Sequence, residues 1–174
     1  MEKAFFDFTS ILNKLKIPWW LDGGQLLRLH REGAFALNEV DFDIGVFYSD
    51  MSKSVIKTIL DSGYSYWFLM GEKDSMAVGF QKDQIYFFQL QIYYIENSMM
   101  RYSIYLSESR LLIYNPTELE LSKFKLITEK RDQLTKASFT QRFDAFHNPF
   151  KTKEIIYKDY KINVPENIER HLTE

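Results

Sequence analysis

The chain has 174 residues, a net charge of −2 with no basic tail, and no cysteine; the charge argues against nonspecific binding to long nucleic acid, which needs a concentrated positive surface, and without cysteine there is neither a disulfide framework nor a thiolate metal site. No apolar run approaches the length of a membrane span, and Met1-Glu2-Lys3-Ala4-Phe5-Phe6-Asp7-Phe8 carries charge too early for a signal peptide. A cytoplasmic location is the expectation, and residues 1–174 fit one domain with its own core.

Residues 3–16 read as an amphipathic helix, with Phe5, Phe8, Ile11, Leu12 and Leu15 on one stripe and Pro18 stopping it. Residues 18–21 form a short strand that runs into Gly23-Gly24. The spacing predicts a helix over 24–31 with Leu26, Leu27 and His30 on one side, then a strand over 40–47 that is apolar at Val40, Phe42, Ile44 and Val46. Ser49 is placed to cap a helix over 50–62, with Val55, Ile56, Ile59 and Leu60 inward and Gly63 at its end. Residues 64–70, 75–82 and 84–95 read as successive strands, with turns at 71–74 and at Lys82-Asp83. Further strands are expected near 100–106 and 110–114, a helix over 117–126, and helix and loop over 128–150. The tail reads as a hairpin through 155–165, with a helix from Glu166 onward. The aromatic content, 15 Phe, 11 Tyr and 3 Trp, favours strands over a helical bundle. The expected fold is therefore α+β, a central twisted sheet with helices packed on it.

Two features carry chemistry. The first is Trp20-Leu21-Asp22-Gly23-Gly24, where a turn without Cβ atoms lets backbone N–H groups approach phosphate oxygens. The second is Glu39-Val40-Asp41-Phe42-Asp43-Ile44-Gly45. At positions i and i+2 of a strand, Asp41 and Asp43 project from the same face. Such a pair of hard oxygen donors suits Mg²⁺ (or Mn²⁺) when substrate phosphates supply further ligands. In this order and at this spacing the two features point to phosphoryl or nucleotidyl transfer. The bland alternatives are a plain turn and an exposed edge strand. His30, His147 and His171 share no metal-ligand spacing and read as structural or exposed. Trp19-Trp20 and the tyrosines of 86–94 read as core, and Lys123, Lys125, Lys130 and Arg131 as a solvated helix face.

The segment from Gly24-Gln25-Leu26-Leu27-Arg28-Leu29-His30-Arg31 to Phe35, continued through Asp41-Phe42-Asp43-Ile44-Gly45, resembles the LicD/fukutin-related family of the nucleotidyltransferase-fold superfamily. Leu26, Leu27, Arg31, Phe35, Asp41, Asp43, Ile44 and Gly45 match its pattern. Glu39 keeps the charge of a usual Asp, Val40 replaces another, and Arg28 replaces a usual Gly. The core motif spans 19–47. Within 155–174, Tyr160 to Leu172 resembles the family's closing strand, Val-Pro and helix. The start of the motif also looks like aminoglycoside and lincosamide nucleotidyltransferases.

The resemblance implies a nucleotidyltransferase-type mixed sheet flanked by helices. It also implies Mg²⁺-dependent transfer of a phosphorylated group, such as phosphocholine or a polyol phosphate. The donor would be nucleotide-linked, of CDP type, and the acceptor a glycan or a small molecule. The alternatives are a nucleotidyltransferase acting on a small molecule such as an antibiotic, and a non-catalytic nucleotide-binding relative. Asp41 and Asp43 would hold the metal. Gly23, Gly24, Gln25 and Arg31 would bind the nucleotide, and Arg31 would also stabilise charge in the reaction. The superfamily usually places a third carboxylate on a neighbouring strand. Here that strand reads Phe87-Phe88-Gln89-Leu90-Gln91-Ile92-Tyr93-Tyr94, and Gln91, or second Gln89, stands in its place. Glutamine cannot act as a base, so the base comes from elsewhere (Glu39 or Glu96), is not needed, or activity is lost.

Overall fold

The computed structural model describes residues 1–36, 41–70, 76–107 and 139–173. Glu39 and Val40, the turn at 71–74, the elements expected at 110–114 and 117–126, and Lys123, Lys125, Lys130 and Arg131 lie outside these residues.

Helix α1 (Glu2–Lys14) leads into β1 (Trp19–Asp22), α2 (Gly23–Glu32) and β2 (Asp41–Phe47). A single 3-10 turn (Tyr48–Asp50) and α3 (Lys53–Asp61) follow, then β3 (Ser65–Met70), β4 (Ala77–Lys82), β5 (Tyr86–Glu96), β6 (Met99–Ser107), β7 (Phe139–His147), β8 (Thr152–Tyr157), β9 (Tyr160–Pro165) and α4 (Ile168–Thr173). The main sheet has the order β1-β2-β5-β4-β3, with β6 joined to the far end of β5 and β7 to β6. β2 and β5 are parallel and every other pair is antiparallel, so the sheet is mixed. β8 and β9 form a separate hairpin, and β9 lies beside β1.

Strand alternation divides the sheet into two chemically different faces. The even-numbered residues Phe42, Ile44, Val46, Phe88, Leu90 and Ile92 are fully or almost fully buried. They form the main core with Phe5, Phe8 and Leu12 of α1 and with Val55, Ile56 and Ile59 of α3. Ile162 and Val164 of β9 enter the same core, which fixes the hairpin to the domain. The odd-numbered residues of β2 and β5 turn to the other face. There Trp20, Tyr93 and Met100 form a small second cluster, with Phe150 packed against it. Trp19 and Trp20 are thus both interior, but on opposite faces.

Three expectations are corrected. The helix expected over 50–62 begins at Lys53, with Ser52 rather than Ser49 at its N-cap, because residues 48–50 form the 3-10 turn first. On α2 the buried residues are Gln25, Leu26 and Leu29, whereas Leu27 is half-buried and His30 exposed. The helix starts one residue earlier than expected and presents a different stripe to the sheet. The last part of 128–150 is not helix and loop, since 139–147 is strand β7. Its partner β6 lies some forty residues upstream, pairing Ser103 with Asp144. Local composition gives no sign of so remote a ladder.

Candidate active site

β1 ends where α2 begins, and Asp22 belongs to both. Its backbone is extended and its Oδ1 accepts the Gly23 N–H at 2.8 Å, capping the helix. Gly23 has φ +58°, and a Cβ there would stand 2.1 Å from Oδ2 of Asp43. Both the backbone conformation and the close approach require glycine.

Asp43 is the direct cross-strand partner of Asp22 in the β1–β2 pair. Asp41 sits two residues earlier on the same face and is exposed. The Gln91 side chain and the Gly24 N–H lie near enough to the Asp43 carboxylate to favour its ionised form. Even so, burial first, and then the negative charges of Asp22 and Asp41, push its carboxyl up to about 6. The cluster therefore repels itself.

Asp22 is buried and fully engaged. Oδ1 meets Gly23 N–H and His171 Nε2, each at 2.8 Å. Oδ2 accepts from Tyr93 Oη at 2.8 Å and Trp20 Nε1 at 3.2 Å. Burial opposes ionisation, but His171, Tyr93 and Gly23 outweigh it and hold the carboxyl below its usual range. His171, on α4, has a buried side chain and stacks on His147 at 4.8 Å, with Phe150 edge-on at 4.6 Å. His147 is buried too, whereas His30 is exposed on α2, 3.6 Å from Glu169.

The remaining candidate residues fall as follows. Gln89 is opposite Asp43 in the parallel β2–β5 register and Gln91 is opposite Gly45. Both share the Asp43 face; Gln91 is buried, and its side chain favours the ionised form of Asp43. Its Oε1 has no hydrogen-bond partner among the described residues. Gln25 turns inward, and its Oε1 accepts the Ala36 N–H at 3.0 Å, tying α2 to the segment that follows. Arg31 is exposed in the last turns of α2, eight residues or about 12 Å of helix from Gly23. Glu96 accepts from Arg101 Nε at 2.6 Å at the end of β5.

The residues that could hold a divalent cation are Asp41 and Asp43. Among the described residues no group of three or more His, Cys, Asp or Glu side chains forms a metal cage. An exposed carboxylate beside a half-buried one on the same face would fit a cation completed by water and substrate oxygens. Asp22 and His171 belong to the site although their sequence patterns do not point to it. The only sequence sign of Asp22 was its place immediately before the Gly-Gly pair, and His171 had none beyond lying in the family-like tail.

No protein-family model matches the chain. Over 79 residues it is 32% identical to the ribitol-5-phosphate transferase FKTN of Homo sapiens, and equally to the protein of that name in Macaca fascicularis. The aligned part is 44% of this chain and 17% of those proteins, so the chain spans less than a fifth of the length of the curated relatives it matches. Among solved structures, the lincosamide antibiotic adenylyltransferase LnuA with lincomycin bound superposes with a TM-score of 0.56 at 17% identity, covering 99% of this chain and 84% of that one. The fold is thus the expected one, a nucleotidyltransferase-type α+β fold with a mixed sheet flanked by helices. Among the described residues no helix is long and apolar enough to cross a membrane.

Proposed function

We propose that this chain is a Mg²⁺- or Mn²⁺-dependent transferase of LicD/fukutin-related type. It would move a phosphorylated group from a nucleotide-linked donor, of CDP type, to a glycan or small-molecule acceptor. The observation that carries this reading is the facing of Asp43 by the Asp22-Gly23-Gly24 turn, with Asp41 open beside it. A self-repelling carboxylate cluster with backbone N–H groups aimed at it suits a site completed by a cation and phosphates. The partial identity to a ribitol-5-phosphate transferase and the likeness to an adenylyltransferase support the same class.

In this reading Asp41 and Asp43 hold the cation, which offsets charge on the donor diphosphate and the leaving group. Gly23 and Gly24 leave the approach to that cluster free of side chains. Gly24 N–H, near enough to favour the Asp43 carboxylate, would be a donor for a phosphate oxygen. Arg31 and Gln25 are the remaining nucleotide-binding candidates. Gln25 would act through the 33–36 segment that it holds.

The likeness to LnuA favours a second reading, nucleotidyl transfer to a small molecule. Gln91 favours a third, nucleotide binding without turnover. In this reading Gln91 stands where the resemblance expects a third carboxylate, and it cannot ionise.

The test is a panel of nucleoside triphosphates and diphosphate-linked donors, read by thermal shift with and without Mg²⁺ and then by turnover. A ligand at a hundredfold its Kd stabilises by about 2.7 kcal/mol. Mg²⁺-dependent stabilisation should vanish in Asp41→Asn and Asp43→Asn. Unchanged binding in both variants would sink the site. Binding without turnover would replace the first reading by the third.

A further inference from the structure

The Asp22 carboxylate has about four acceptor positions, and all four are filled. Three donors come from the sheet and its turn: Trp20 on β1, Tyr93 on β5 and the Gly23 backbone. The fourth, His171, comes from a helix 149 residues further along the chain. We propose that His171 is a positioning residue, whose bond to Asp22 keeps the Gly23-Gly24 turn and Asp43 in the arrangement that a cation and phosphates require. This role depends on the phosphate-transfer reading above, and it makes the C-terminal hairpin and helix part of the site.

Three observations support it. First, the His171 side chain is 2% exposed, and its contacts are with Asp22, His147 and Phe150, so it acts through what it touches. Second, its position is over-determined. His147 and Phe150 pack on its ring, and β9, which leads into α4, is anchored in the main core by Ile162 and Val164. A helix of six residues needs such support, because it is too short to be stable alone. Third, its partner is the residue that caps α2 and opposes Asp43 in register. Loss of the donor would leave a buried carboxylate oxygen short of a partner beside a second carboxylate. The rotation of Asp22 that restores a partner would release the Gly23 N–H.

The test uses the full chain and three variants. His171→Phe fills the volume without a donor. His171→Gln keeps a donor at the Nε2 position, and His171→Asn carries one too short to reach Asp22. Two quantities are read: Mg²⁺-dependent CTP and CDP affinity by calorimetry, and amide hydrogen exchange at Gly23 and Gly24 compared with Ile44 and Leu90 in the core strands. Removing a partner that orients metal ligands typically costs about 10- to 100-fold in metal affinity. A loss of that order is expected in His171→Phe, with faster exchange at Gly23 and Gly24 beyond any change at Ile44 and Leu90. His171→Gln should restore both quantities. If His171→Phe does not fold, the contrast between Gln and Asn decides by the same two readouts. Equal behaviour of Gln and Asn, or full protection of Gly23 and Gly24 without the donor, would overturn the proposal. If the wild type binds neither nucleotide, the functional reading fails for these donors, while the exchange contrast still decides whether His171 positions the turn.

Discussion

The bare Cα of Gly23 lies against the Asp43 carboxylate so closely that a Cβ would stand 2.1 Å from Oδ2. Helix start and candidate metal ligand therefore occupy mutually dependent positions. Gly23→Ala should destabilise the protein by about 1–3 kcal/mol, from the positive φ and from displacement of the carboxylate. Urea unfolding measures this. In an Asp43→Ala background the cost should shrink, because the displaced group is gone. An undiminished cost in the double variant would show that the backbone conformation alone is responsible.

The Asp43 carboxyl, at about 6 in the folded chain, is raised above its unfolded value of 3.8. Between these values the folded state binds more protons than the unfolded state, so stability falls as pH rises. The contribution of the protonated form is fully present below pH 3.8 and lost by the time pH passes about 6. Asp43→Asn, uncharged throughout, should then be more stable than wild type at pH 7.5 without metal, by up to about 3 kcal/mol. The gain should disappear toward pH 4. Thermal melts across this range, in chelator, provide the check. A wild type that is the more stable at pH 7.5 would show that Asp43 is not under net repulsion.

Gln91→Asp would place another negative charge beside Asp43. Metal-free stability should fall, and the Mg²⁺-induced rise in melting temperature should exceed that of wild type. If the chain binds nucleotide without turning it over, a base at this position could add a factor of about 10² to 10⁴ in rate. Turnover of the donor panel by wild type, Gln91→Asp and Gln89→Asp measures this. Gln89→Asp, opposite Asp43 in the strand register, places the same charge at the other candidate position for comparison. A smaller Mg²⁺ response in Gln91→Asp than in wild type would mean that the position does not face the cation.

Gly45 is the cross-strand partner of Trp20, and a Cβ on it would fall 2.1 Å from indole Cε2. Gly45→Ala should cost about 1–3 kcal/mol through overpacking. It should also disturb the indole that donates to Asp22, so Mg²⁺-dependent nucleotide binding should weaken along with stability. Calorimetry beside chemical denaturation tests the coupling. Full binding at reduced stability would confine Trp20 to a packing role.

Much of the architecture was legible because it is written in local periodicity. The stripe Phe5, Phe8, Ile11, Leu12 marks α1, and the alternation Phe42, Ile44, Val46 marks β2; both are buried as their spacing requires. The same alternation put Asp41 and Asp43 on the opposite face, so the carboxylate pair could be named from sequence. β7 is not legible in this way, because its pairing with β6 is a long-range ladder with little local signature.

What only the tertiary structure decided is the surroundings of those carboxylates. In the sequence Asp22 reads as part of a turn; the β1–β2 register sets it opposite Asp43. Gln89 and Gln91 share a face by parity alone, and only the β2–β5 register sets Gln89 opposite Asp43 and the buried Gln91 opposite Gly45. His171 shares no spacing with Asp22, and only the docking of β9 beside β1 brings them within 2.8 Å. Side-chain spacing along an element determines which face a residue occupies. Which residue it meets there depends on pairing register and on packing between distant segments, and neither is encoded in a local pattern.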